Sequence, residues 1–444
     1  MTSGARPGAS PPSPEALGGK ISFTAKLRIN RNELFSQMFD ECMRKLEYSF
    51  YDAKLHGAKW TEIREKTRPL VKHVAHHEDF YHLVNLMLGE LNASHLGVGG
   101  HARNLEEDTA QLGILWDWSY RGPGYRIAEL LPNGPTDLPG VDLKPGQYVM
   151  AIDGVELNDR ANLSQVLNDK VGEQVTLSIA SDPKDPKRRK VKLKTTSRGT
   201  LYSLLYRQWV STNAKLVSEK TYGKYGYIHI AAMDLPSLDE FVRALYTDNF
   251  DKEGLIIDVR HNGGGFTHDQ VLSYLGGKAH TRFVSREGAE GTVMRQHDRK
   301  WTKPVVVLLN NRSYSDAEIF PAAFRALGLG KLVGLPSGGF VIGTYNDSLM
   351  DGSFFRIPRL GVFTQSGVNM EKEGVIPDFI VDIHPDQAAK GQDPQLAKAM
   401  EVLSKEIDAW KKAQKPAGAV VDSKPSTGTT SPTGKASGAG SSTP

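Results

Sequence analysis

Two short apolar runs constrain this chain more than any other feature. Gly254-Leu-Ile-Ile-Asp-Val259 and Val305-Val-Val-Leu-Leu309 are continuous rather than alternating. An alternating strand buries one face, whereas a continuous apolar run buries both, as strands do in a parallel sheet covered by helices. Each run ends in a polar or Gly-rich turn. Tyr225-Gly-Tyr-Ile-His-Ile230 reads as another strand. After it, Ser237-Leu-Asp-Glu240 has the form of a capping box, with Leu238, Phe241, Val242 and Leu245 as the apolar stripe of the helix it opens. Residues 200–412 therefore read as an α/β domain, in which function sits at strand ends.

The rest of the chain has a different rhythm. In 20–98, Phe35, Met38, Phe39, Cys42, Met43 and Leu46 recur at helical spacing, as do Phe80, Leu83, Val84, Met87, Leu88 and Leu91. This reads as a small helical domain running into Leu91-Asn-Ala-Ser-His95. Residues 99–199 alternate in short strands punctuated by Gly and Pro, a β-rich module. Within it the basic run Lys187-Arg-Arg-Lys190 lies between two alternating stretches and reads as a solvated hairpin tip. Residues 1–19 and 413–444 are dominated by Gly, Ser, Pro, Thr and Ala, and are expected to be a disordered leader and tail.

Four segments carry residues able to do chemistry. Val305–Leu309 runs through Asn310-Asn-Arg-Ser-Tyr-Ser315 into a helical pattern from Asp316 to Phe324, which puts Ser315 at a helix N-terminus. The free N–H groups there stabilise an oxyanion, but a serine at that position is equally an N-cap, and Ser313 competes with it. Asp258-Val-Arg-His-Asn-Gly-Gly-Gly265 follows the other buried strand, and its glycines allow the backbone close to a ligand. A phosphate-binding loop is the rival reading, and the lack of a following Gly-Lys-Ser/Thr argues against it. Ser94-His95 and Glu371 in Glu371-Lys-Glu-Gly-Val-Ile-Pro-Asp378 complete the set. Taken singly, each reads as a helix-end or turn residue.

Taken together and in this order, these motifs closely resemble the tail-specific (carboxy-terminal processing) protease family, in particular its tricorn branch. Gly124-Tyr-Arg-Ile127, Pro132-Asn-Gly-Pro135 and Leu143–Gly154 resemble a PDZ domain, with Gly146-Gln147 where that pattern has Gly-Asp. The resemblance implies a multidomain α/β fold: helical domain, PDZ-like module and an α/β catalytic domain of the crotonase/ClpP kind. It implies a serine peptidase with Ser315 as nucleophile and His95 as general base and acid, oriented by Ser94 and Glu371. The N–H groups of Gly264 and Asp316 would form the oxyanion hole. The family's other branch uses a Ser–Lys dyad with the lysine about 25 residues beyond the serine, and the resemblance argues against it here, since no lysine lies between Lys331 and Lys372. It implies no cofactor, and peptides or unfolded proteins as substrates. It also raises a homo-oligomer, or separately encoded β-propeller domains of the kind larger members carry before the helical domain.

Alternative chemistries are weaker. His73, His76, His77 and His82 cluster, but His77 and His82 stand five apart rather than four, off a shared helix face, so no metal site is expected. A Gly-x-Ser-x-Gly elbow is absent, which argues against an esterase. A catalytically inactive peptide-binding protein is the remaining alternative. Lys+Arg number 55 against 51 for Asp+Glu, too balanced for a nucleic-acid partner. The lone Cys42 permits no intrachain disulfide. Without a run of membrane-spanning length or an apolar signal, the expectation is a soluble cytoplasmic protein.

Overall fold

A computed structural model of the chain describes residues 26, 28–100, 107–158, 161–277, 279–283, 292–295 and 299–414. The expected leader, and the tail beyond 414, lie outside these residues.

The helical periodicity resolves into α1 (Arg31–Ser49), α2 (Trp60–Thr67) and α3 (His77–Gly89). The six apolar residues singled out along α1 are all fully buried, so their spacing is one stripe facing one core. The helices alone do not close that core. Leu349, Phe355 and Ile357, from far along the chain, pack into it. Strand β1 (Gly97–Gly99) also pairs antiparallel with residues of that distant segment, Val98 opposite Phe355.

The β-rich module contains β2 (Ile114–Trp116), β3 (Tyr125–Leu130), β4 (Tyr148–Ile152), β5 (Val155–Glu156), α4 (Leu163–Leu167), β6 (Gln174–Ala180) and β7 (Arg189–Lys194). The sheet order is β2-β3-β4-β6-β7, with β5 on β4. Strands β6 and β7 form the hairpin expected around the basic run, Gln174 opposite Lys194.

Helix α5 (Arg198–Lys220) leads into the α/β part: β8 (Tyr225–His229), α6 (Leu235–Ala244), β9 (Gly254–Asp258) and α7 (His268–Ser273). After the ribbon β10 (Ala279–Phe283) and β11 (Thr292–Arg295) come β12 (Val305–Leu309), α8 (Asp316–Ala326) and β13 (Gly330–Gly334). The hairpin β14 (Ile342–Ser348) and β15 (Phe354–Gly361) follows, then β16 (Phe379–Ile380), α9 (Pro385–Ala389) and α10 (Pro394–Gln414). The central sheet is parallel throughout, in the order β16-β13-β12-β9-β8. Every residue of β9 and β12 is buried, as continuous apolar runs require.

One local expectation is corrected. Ser237 does not cap α6; the helix starts two residues earlier, and Asp234 Oδ1 accepts the Ser237 N–H at 2.9 Å. Pro236 in the first turn has the φ a helix needs and lacks the N–H that would go unpaired, so it moves the start upstream.

The hairpin β14–β15 is the joint of the molecule. Phe355 and Ile357 are fully buried against the helices, each contributing about 1.5–3 kcal/mol. Val341, at the hairpin's start, and Met370 and Val375, beyond it, pack instead with the core of the parallel sheet. Among the described residues, no helix is long and apolar enough to cross a membrane.

Candidate active site

The turn from β12 to α8 decides between its two serines. Ser313 is fully buried; its hydroxyl donates to the Val259 carbonyl (2.8 Å) and accepts the Asn310 N–H (3.0 Å). It is a turn residue with nothing to spare. Ser315 has φ 57° and ψ −119°, a backbone conformation costly for any residue with a side chain. Glu318 holds it there, with Oε1 accepting the Ser315 N–H at 3.2 Å. The same buried carboxylate accepts from Ser337 Oγ (2.5 Å) and the N–H groups of Gly339 (2.7 Å) and Phe340 (2.8 Å). Burial pushes the Glu318 carboxyl up from its ordinary range, against the pull of these donors.

The glycine loop is built from below. Asp258 and Arg260, both buried, are paired at 2.7 Å, and Arg260 reaches on to Asp393 at 2.9 Å. Asn262 Nδ2 donates to the Ile230 carbonyl (2.9 Å), while its Oδ1 accepts the Gly264 N–H (2.8 Å). Gly264 has φ 87°, and a Cβ there would meet the Tyr314 carbonyl at 2.6 Å and Ser315 Cβ at 2.7 Å. Only glycine lets this loop lie against the Ser315 turn. Of the two N–H groups expected to face an oxyanion, Gly264's is thus paired inside its own loop, whereas Asp316's has no partner among the described residues. The Asp316 carboxylate binds His268 twice, at the backbone N–H (3.0 Å) and at Nδ1 (2.5 Å). That ties α7 to the start of α8 and raises the His268 pKa.

The other half of the site hangs from Glu371, itself buried. Its Oε1 accepts the Ser94 N–H (2.8 Å); its Oε2 accepts the Ser94 hydroxyl (2.9 Å) and the Val341 N–H (2.9 Å). Ser94 Oγ lies 2.7 Å from His95 Nδ1. A carboxylate only accepts, so the Ser94 proton points to Glu371 and the Ser94 oxygen accepts from Nδ1–H. The network thereby assigns the His95 tautomer, with the lone pair on Nε2. That Nε2 is buried and has no hydrogen-bond partner among the described residues. Burial, with the positive charge of Arg356 nearby, pushes the His95 pKa down from 6.5 to about 4.

Tyr314 joins the halves. Its ring stacks on His95, centroids 4.5 Å apart, and its hydroxyl lies 3.0 Å from Nδ1. The residue before Ser315 is thus packed on the imidazole, although no hydrogen bond links His95 to Ser315 itself. The structure therefore brings Ser94, His95 and Glu371 into one chain of hydrogen bonds, with Gly264 and Asp316 flanking Ser315. His76 instead caps α3, and His77 Nε2 lies 3.1 Å from Asp351. Among the described residues no three His, Cys, Asp or Glu side chains gather as a metal would need.

This arrangement sits in a chain whose segments match known families in order. Residues 32–89 match the tricorn protease C1 domain, 111–196 the tricorn protease PDZ domain, and 224–381 peptidase family S41. The chain belongs to the tricorn branch of peptidase family S41.

A tricorn-like protease C-terminal subunit of Sulfurisphaera tokodaii is 32% identical over 410 residues, covering 88% of this chain and 46% of the relative. The tricorn protease of Thermoplasma volcanium is 30% identical, covering 86% and 37%. The crystal structure of the tricorn protease superposes with a TM-score of 0.72 at 27% identity, covering 85% of this chain and 37% of that one. The chain thus spans less than half the length of these relatives.

Family membership accounts for the order of the motifs, but four residues of the site carry no signal in it. Glu318 stands in the Ser-x-x-Glu spacing yet reads as one half of a cap. Tyr314 looks like filler between two serines. His268 and Arg356 come to the site only through α7 and the β14–β15 hairpin.

Proposed function

We propose that this chain is a serine peptidase that hydrolyses peptide bonds through an acyl-enzyme on Ser315. The observation that carries the reading is the hydrogen-bond chain Glu371–Ser94–His95, which ends on a buried Nε2 without a partner among the described residues, while Tyr314, the residue before Ser315, stacks on the imidazole. A lone pair held that way needs a proton donor, and the serine hydroxyl is the nucleophile it would activate.

In this reading the Ser315 proton passes to His95 Nε2 as Oγ attacks the peptide carbonyl carbon. Negative charge develops on the carbonyl oxygen, facing the Asp316 N–H. Gly264 joins as second donor once its N–H turns from Asn262. The C–N bond breaks as His95 returns the proton to the leaving amine, and water, deprotonated by the same imidazole, hydrolyses the ester. Glu371 acts through Ser94, fixing the tautomer and balancing the imidazolium. Such hydrogen bonds tighten when substrate arrives, so a missing Ser315–His95 bond in the free enzyme is compatible with this chemistry. The PDZ-like module is read as a groove adding a peptide strand to its sheet.

A fluorophosphonate probe followed by intact mass tests the assignment. One adduct on the wild type is expected, none on Ser315→Ala, and labelling slower on the order of 10^4-fold or more on His95→Ala. An unlabelled wild type would favour the alternative, a peptide-binding protein without catalysis.

A further inference from the structure

Arg356, on β15, lines two pockets at once. One, of about 390 Å³, opens beside Ser315 and is walled by Ile319, Val341, Leu360 and Val362. The other, of about 420 Å³, holds His95 and Tyr314. Among their described residues Arg356 is the one charged side chain of the first pocket and, with His95 neutral, of the second.

Its hydrogen bonding is incomplete. Nε donates to Thr344 Oγ1 at 3.3 Å, and no other hydrogen bond or ion pair engages the guanidinium among the described residues. The contrast with other arginines is direct: Arg260 is paired with Asp258 at 2.7 Å, and Arg359, also on β15, with Asp347 at 3.3 Å. A half-buried guanidinium left without a carboxylate has lost hydration and gained little, so a ligand carboxylate that meets its planar fork gains what the protein has left unmade. The charge is felt at the site, since it adds to the burial that lowers the His95 pKa and opposes the burial that raises that of Tyr314.

We propose that Arg356 binds a substrate carboxylate next to the scissile bond, making this site selective for acidic peptides. The inference rests on the reading of Ser315 as nucleophile. Two sources share this chemistry: an acidic side chain seated in the pocket beside Ser315, and the free C-terminus of a short peptide. The apolar walls of that pocket would take the methylenes of a glutamate while the head meets Arg356.

Two peptide pairs separate the sources. One pair places Glu or Gln before the cleaved bond of a blocked peptide; the other ends the same neutral peptide in a carboxylate or a carboxamide. For one pair, kcat/KM of the wild type is expected to favour the carboxylate at least about tenfold. Arg356→Gln should bring that ratio near one, mainly through KM, Arg356→Lys should restore part of it, and Arg356→Glu should prefer Lys over Glu in the blocked series. Binding of the same peptides to Ser315→Ala, read by fluorescence anisotropy, should show the same preference without turnover. Ratios near one in both pairs, or an equal loss for all peptides in Arg356→Gln, would overturn the assignment. Failure of the underlying reading looks different: Ser315→Ala still prefers the acid, while the wild type neither cleaves peptides nor takes the fluorophosphonate.

Discussion

The two halves of the site are made by opposite means. Around Ser315 the work is done by backbone: a serine at φ 57°, a glycine at φ 87° against it, and an open N–H at Asp316. All of this comes from the ends of two adjacent strands, β9 and β12, of one parallel sheet. Around His95 the work is done by side chains. Ser94 and Glu371 are 277 positions apart and meet through two hydrogen bonds. The proposed nucleophile thus belongs to one domain, whereas the proposed base is held in place only while the helical core stays docked on the β14–β15 hairpin. On the proposed function, a site divided this way should be active while the joint holds and silent once it loosens.

Substitutions placed on either side should therefore fail differently. Glu371→Gln leaves the shape but removes the charge and gives one of three donors, Ser94 N–H, Ser94 hydroxyl or Val341 N–H, no acceptor. The expected loss in kcat/KM is roughly 10^2- to 10^4-fold, with about 1–3 kcal/mol of stability lost in a thermal melt. Activity and stability should fall together, because the base half is also the joint. Gly264→Ala attacks the other half. Its Cβ has no room against Tyr314 and Ser315, and shifting the loop by about 1 Å should cost on the order of 10^2-fold in rate. The His95 side should be untouched, so the pH at which the remaining activity falls should not move. If Gly264→Ala shifts that pH, or Glu371→Gln melts like the wild type, the division is wrong.

Legibility from sequence follows the same line. The buried strands, the α1 stripe and the Ser315 turn were readable because their determinants are local: continuous apolar runs, three-and-four spacing and a strand running into a helix. The start of α6 was misplaced for an equally local reason, a proline that outweighed a plausible cap. The packing of Phe355 and Ile357 into the helical core left no trace in composition or period, because it is a contact between distant segments. The roles of Glu318 and His268 were hidden likewise. A Glu three residues after a serine is an ordinary cap until the loop carrying Ser337 and Gly339 folds over it. The residue-by-residue roles came from resemblance, and the geometry adds reasons for them, notably why Ser315 rather than Ser313.

The most direct test asks whether the halves meet. The rate of fluorophosphonate labelling at Ser315 should track the neutral form of His95, whose pKa burial and Arg356 hold near 4 rather than 6.5. Only the neutral imidazole takes a proton, so the rate should stay level from pH 7 down to about 5 and fall as the pH drops through about 4. Labelling with this profile that vanishes in Ser315→Ala is the predicted result. A midpoint near 6.5 would mean that the reacting base is not the buried His95, and labelling that survives Ser315→Ala would contradict the account at its centre.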